Sequence, residues 1–89
     1  MRPLVSVYMP KLPVVSGKDT VKALCKIGFR VSGQKGSHLK LTRERADSKE
    51  TIIIPNHKTL KPGTLRNGIL KQASLSVEEF TKLLIQNEK

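Results

Sequence analysis

Apolar and polar positions along the chain repeat with two different periods, and the switch between them marks out the elements. Residues 1–15 are punctuated by Pro3, Pro10 and Pro13, which forbid a helix and predict an extended lead-in, with 1–8 a loose tail and 9–89 a single domain. Val21, Leu24, Cys25 and Gly28 recur at i, i+3, i+4 and i+7, which predicts a helix from about Gly17 to Ile27 with Gly28 as its stop. Ser16 is its predicted N-cap, and Asp19 sets a negative charge at the positive end of the helix dipole. On that stripe Cys25 reads as a small buried hydrophobe.

From Phe29 the period becomes two. Phe29 to Ser32, a turn at Gly33-Gln34-Lys35-Gly36, and Ser37 to Arg43 predict a hairpin whose second strand turns Leu39 and Leu41 to one face and His38, Lys40 and Thr42 to the other. A charged turn over 44–50 leads to a short strand, Thr51 to Ile54, stopped by Pro55. Its three successive isoleucines make both faces apolar, so it is either covered on both sides or awaits a partner. Pro62 opens a helix reaching about Ala73, with Leu65, Ile69 and Ala73 in one row. Ser76 and Glu79 form a capping box for a last helix whose stripe is Val77, Phe80, Leu83 and Leu84. The predicted fold class is α+β: a helix, a three-stranded antiparallel sheet, then one or two helices packed on one face.

Charge changes the picture from a generic small domain to one with a polyanionic partner. The 89 residues carry a formal charge of +10, at a cost in self-repulsion that an anionic ligand would relieve. The excess lies in two acid-free blocks: Thr20 to Arg43 sums to +6 and Thr51 to Val77 to +4. Lys22, Lys26, Lys35, Lys40, Lys58, Lys61, Arg66 and Lys71 are the candidate phosphate contacts. The short chain leaves no room for an enclosed cofactor cavity, so no cofactor is expected. One cysteine and two histidines make a structural metal site improbable, and the lone thiol suits a reducing, cytoplasmic setting. No apolar run approaches a membrane span, so no membrane partner is expected.

His38 is the most informative candidate for chemistry. A neutral imidazole can take the proton of an RNA 2′-hydroxyl while lysines hold the phosphate on which charge develops. His57, in the Pro-Asn loop, is the candidate second acid/base or else a hydrogen bonder that orders the loop. On the pattern alone, an exposed histidine of no consequence is the better reading of His38. Tyr8 and Phe80 offer no convincing pair for base stacking.

A set of motifs in order narrows this. Gly28-Phe29, Gln34-Lys35-Gly36-Ser37-His38, Ile54-Pro55 with His57, Lys61-Pro62-Gly63-Thr64-Leu65-Arg66 and Lys71-Gln72-Ala73 together resemble the HicA (YcfA-like) family, over about Pro10 to Leu84. The resemblance implies a double-stranded-RNA-binding-domain-like fold and a toxin that is an mRNA interferase, a ribosome-independent RNA endonuclease. It also implies neutralisation by a cognate HicB-type antitoxin. His38 falls on the catalytic histidine of that family, with Gly36 and Ser37 as its motif partners. There are two departures from the family pattern. Asn67, Gly68, Ile69 and Leu70 stand where three residues usually separate Leu-Arg from the basic-Gln-Ala element, and Ser74 stands where glycine is frequent. One extra residue either rotates the rest of the helix by about 100° or forces a local bulge.

Two other readings compete. One is a non-catalytic double-stranded-RNA-binding module. The other is a helix-turn-helix DNA-binding regulator, against which the acidic opening Val77-Glu78-Glu79 argues.

Overall fold

A computed structural model of the chain describes residues 12–86, so the expectation for the tail at 1–8 lies outside the described residues. The elements are α1 (Gly17–Cys25), β1 (Arg30–Lys35), β2 (His38–Glu44), β3 (Lys49–Pro55), a helix over residues 62–73 (α2) and α3 (Val77–Gln86). The strands form an antiparallel sheet in the order β1-β2-β3, and the helices pack on it as the α+β reading requires.

Both predicted caps form. The Ser16 hydroxyl accepts the Asp19 amide hydrogen at 3.0 Å. At α3 the box is reciprocal, with Glu79 N–H donating to Ser76 Oγ at 3.0 Å and Ser76 N–H to Glu79 Oε1 at 2.9 Å. Each pair satisfies donors that a helix start leaves orphaned. Helix α1 ends two residues short of the expected Ile27, and the turn that follows closes at Gly28 with φ 103°.

The buried face of α1 differs from the expected one. Gly17, Thr20, Ala23 and Leu24 are buried and Val21 is half-buried, whereas Cys25 is exposed, correcting its assignment to the core. The cause lies at Gly17, where any Cβ would collide with the Pro55 carbonyl and the Asn56 Cα of the chain leaving β3. That close approach fixes the rotation of the helix and turns Thr20 inward, its hydroxyl satisfied by the Ser16 carbonyl at 2.9 Å.

The hairpin is longer than its sequence suggests. Gly33, Gln34 and Lys35 belong to β1, and the turn is the pair Gly36-Ser37, with only Gly36 at positive φ (58°), as in a type II′ turn. A bulge between Val31 and Gly33 carries β1 past Gly33 without ending it. Strand β3 likewise begins at Lys49 rather than Thr51, and the linking loop shrinks to 45–48. Thr42 is buried at 2% exposure, contrary to its expected place on a solvated face, and its hydroxyl is satisfied by a 2.7 Å hydrogen bond with the Ser32 hydroxyl on the bulge.

The core joins Leu24 of α1 and Leu41, Ile52 and Ile54 of the sheet to Leu65, Ile69, Leu70 and Ala73 of α2 and Phe80 of α3. Helix α2 answers the spacing question posed by the extra residue: Thr64–Leu70 is wound as a π-helix before Lys71–Ala73 returns to α geometry. The chain absorbs the insertion as a bulge, so Leu65, Ile69 and Ala73 all remain buried. Ser74 then closes the helix at φ 58°, the left-handed position where glycine is ordinarily favoured.

Candidate active site

His38 is the first residue of β2, and the type II′ turn before it decides its setting. Antiparallel register sets Lys35 and Pro55 opposite His38, and sets Gly33 and Ile53 opposite Lys40. These two cross-strand rows share the face turned away from the core, since Leu39 and Leu41 alternate to the other side and Leu41 is fully buried. Gly33, Gln34, Lys35, His38, Lys40 and Ile53 line one shallow depression of about 470 Å³, so the expected His38, Lys35 and Lys40 do converge. Gly36 supplies the positive φ of the turn.

Ser37 anchors the turn to the rest of the molecule. Its carbonyl accepts the Asn56 amide hydrogen at 2.6 Å, holding the residue before His38 against the loop that carries His57. That loop is held in turn by α1 and its lead-in, because Gly17 N–H donates to the His57 carbonyl at 2.8 Å and Leu60 N–H to the Val15 carbonyl at 2.8 Å. His57 itself lines a second depression, of about 290 Å³, with Ser16, Lys18, Asn56 and Lys58. The two histidines thus line different depressions, and the Ser37–Asn56 bond joins the residues that precede them.

The charge on the sheet is segregated along the strands. The described ion pairs, Arg30–Glu44 at 3.8 Å, Arg43–Glu50 at 2.6 Å and Arg45–Glu50 at 3.1 Å, all lie at the end away from His38. No carboxylate lines the His38 depression. Its lysines are therefore not neutralised locally, and the face offers positive charge to an anion.

Arg43 is the residue whose role the linear pattern hid, for it read only as one more positive charge. Its guanidinium lies 4.4 Å from the centroid of the Phe29 ring, donates from Nη1 to the Ile27 carbonyl at 3.0 Å and pairs with Glu50. It pins the turn after α1 to the sheet. Those hydrogen bonds from Arg43, and then from Arg45, hold the Glu50 carboxyl below its ordinary value of 4.5. No local signal could have found this, because the partners are 16 and 7 residues away in sequence.

The remaining basic candidates scatter. Lys26 is tied to α3, its Nζ donating to the Leu83 carbonyl at 2.9 Å. Lys58 sits beside His57, while Lys22, Lys61, Arg66 and Lys71 are placed on α1, the loop before α2 and α2, outside both depressions. Phe80 is fully buried and offers no stacking surface. Among the described residues no group of three or more His, Cys, Asp or Glu side chains is arranged to hold a metal ion, and no helix is long and apolar enough to cross a membrane.

Comparison with known proteins gives a family match. Residues 17–75 fit the profile of a family described as HicA toxin of bacterial toxin-antitoxin, a span that runs from the first residue of α1 through the residue after Ser74. No curated protein and no solved structure matches the chain.

Proposed function

The chain belongs to the HicA toxin family, and is thus a toxin of a bacterial toxin-antitoxin system; from that premise we propose that it is a metal-independent RNA endonuclease, an mRNA interferase, with His38 as general base. The observation that carries this reading is the convergence of His38, Lys35 and Lys40 on one face without a carboxylate. In the proposed step the His38 imidazole takes the proton of a 2′-hydroxyl, and the 2′-oxygen attacks the adjacent phosphorus. The bond to the 5′-oxygen breaks, and a 2′,3′-cyclic phosphate is left. Lys35 and Lys40 stabilise the non-bridging oxygens as their charge grows. The departing 5′-oxygen needs a proton, and His57 is the candidate donor if RNA bridges the two depressions.

The substrate supplies the nucleophile, so the chemistry asks only for a base, a cationic surface and a phosphate held in line. Lys58 beside His57 extends that surface along the chain leaving β3. A HicB-type antitoxin is the proposed inhibitor. An acidic partner that covers the His38 face would neutralise charge and block substrate together.

The test compares wild type with His38→Ala for cleavage of RNA in EDTA and for growth arrest on induction. A loss of about 10²- to 10⁴-fold in cleavage, with the fold intact, is the expected result. Wild-type binding of duplex RNA without any cleavage would instead assign the chain to the non-catalytic RNA-binding class. Full activity in a folded His38→Ala variant would remove the histidine from the mechanism.

A further inference from the structure

A cationic face explains phosphate binding, but it does not explain why the depression beside His38 has mostly carbon in its walls. Ile53 is 48% exposed there, in a strand where Ile52 and Ile54 are at 2% and 0%. Across the sheet the same row runs through the stem of Lys40 to Gly33, which contributes no side chain at all. A Cβ at Gly33 would lie 4.0 Å from the Lys40 Cβ, so a longer side chain there would occupy the depression itself. The bulge reinforces the opening, because the Ser32 hydroxyl beside it is drawn to Thr42 at 2.7 Å and to the Lys40 carbonyl at 3.3 Å.

A phosphate alone requires donors, and apolar walls contribute nothing to holding it. A volume of about 470 Å³ falls within the usual range of small-ligand sites, roughly 300 to 1,000 Å³. A flat group with apolar faces, joined on either side to phosphates, matches an isoleucine floor with Lys35, His38 and Lys40 around it. Lysine stems are suited to line such a site, covering apolar surface while the ammonium stays at the rim. We propose that this depression is a nucleobase subsite, receiving the base of a nucleotide next to the phosphate to be cleaved. The inference rests on the reading of the protein as an RNA endonuclease, and it makes Gly33 and Ile53 specificity residues that do not touch the reacting atoms.

The test is an NMR titration of the full chain with each of the four nucleoside 3′-monophosphates, with ribose 5-phosphate and with inorganic phosphate. The nucleotides are expected to shift the Gly33 amide and the Ile53 methyl resonances and to bind about 5-fold or more tightly than ribose 5-phosphate. Gly33→Leu, which fills the space, and Ile53→Thr, which keeps the β-branch but trims the floor, should each erase that advantage while leaving phosphate binding in place. Shifts confined to Lys35, His38 and Lys40, equal for nucleotide and phosphate, would overturn the subsite. So would an Ile53 that responds to the antitoxin and to no nucleotide.

Cleavage separates this inference from its premise. If wild type cleaves RNA, Gly33→Leu should flatten its preference for the base beside the cut, and an unaltered preference counts against the subsite alone. If wild type cleaves no RNA, the endonuclease reading falls, and the titration still decides whether the depression takes a base.

Discussion

The Ser37 carbonyl and the Asn56 amide meet at 2.6 Å, so the residue before His38 and the residue before His57 are joined by one backbone hydrogen bond. Asn56→Pro removes the donor. With the Ser37 carbonyl left to find another partner, the variant should lose about 1 to 3 kcal/mol of stability in urea denaturation. If the bond positions His38, RNA cleavage should fall by about 10-fold or more in protein that is still folded. In a His38→Ala background the same change should have no further effect on cleavage. An additive loss in the double variant would show that the bond acts on something other than His38.

Glu50 makes the fold sensitive to acid at the end of the sheet away from His38. Its carboxyl is held below 4.5 by hydrogen bonds from Arg43 and then Arg45, so its folded-state pKa lies below its unfolded one. The stabilisation is present above the unfolded value and is lost as pH falls through the folded value. Thermal midpoints of wild type and Glu50→Gln should therefore differ at pH 6, wild type being the more stable, and the gap should narrow as pH falls below the ordinary value of 4.5. A gap that persists unchanged at about pH 3 would contradict the assignment of Arg43 and Arg45 as its partners.

Ser74 adopts a left-handed conformation, φ 58°, that a Cβ penalises. Its amide still donates to the Lys71 carbonyl at 3.2 Å and the Leu75 amide to the Leu70 carbonyl at 2.9 Å, so the geometry of the cap does not depend on the side chain. Ser74→Gly should raise stability by about 0.5 to 1 kcal/mol, less than the full steric relief because glycine also widens the unfolded ensemble. The measurement is a shift of the urea midpoint at constant slope. A lower midpoint would mean that the serine hydroxyl contributes more than the strain costs.

What is legible in the sequence follows periodicity and local chemistry. The caps at Ser16 and Ser76, the strand alternation through Leu39 and Leu41, and the position of His38 on the outward face all depend on residues within four positions of one another. The linear pattern misleads where a distant contact decides. It puts Cys25 in the core because the rotation of α1 is set by Pro55, thirty residues on, and it puts Thr42 in solvent because the Ser32 hydroxyl that satisfies it lies on the neighbouring strand. Gly33 resembles a turn residue, but the bulge extends the strand through it. The candidate site is half legible: His38, Lys35 and Lys40 lie close in the chain, whereas the part played by Ile53 and the separation of His57 require the register of β3.

The π-helix over Thr64–Leu70 gives a test by deletion. Leu65, Ile69, Leu70 and Ala73, all buried, stand at i, i+4, i+5 and i+8, which is one residue longer than an α-helical stripe. Removing exposed Gly68, where an added Cβ would meet only open space, brings them to i, i+3, i+4 and i+7. The deletion should refold the segment as α-helix with the same core and gain about 1 kcal/mol from losing an interior glycine. Loss of cooperative unfolding in the deletion would show that the wider turn is needed to seat Leu70 and Ala73.

The outer edge of β3 has no strand partner among the described residues, and Ile53 is half exposed on the basic face beside it. An unpaired edge with one apolar side chain is a template for strand addition or for a hydrophobic contact, and an acidic antitoxin would meet Lys35 and Lys40 at the same time. Ile53→Lys separates the two contributions. It strengthens the positive field that steers an acidic partner, so association should be as fast or faster, but it leaves a cation where the complex needs an apolar contact. The antitoxin should then dissociate faster and bind about 10-fold more weakly, as measured by surface-based kinetics on folded variant protein. Unchanged affinity would remove this edge as the docking surface. Tighter binding would assign the interaction to charge alone.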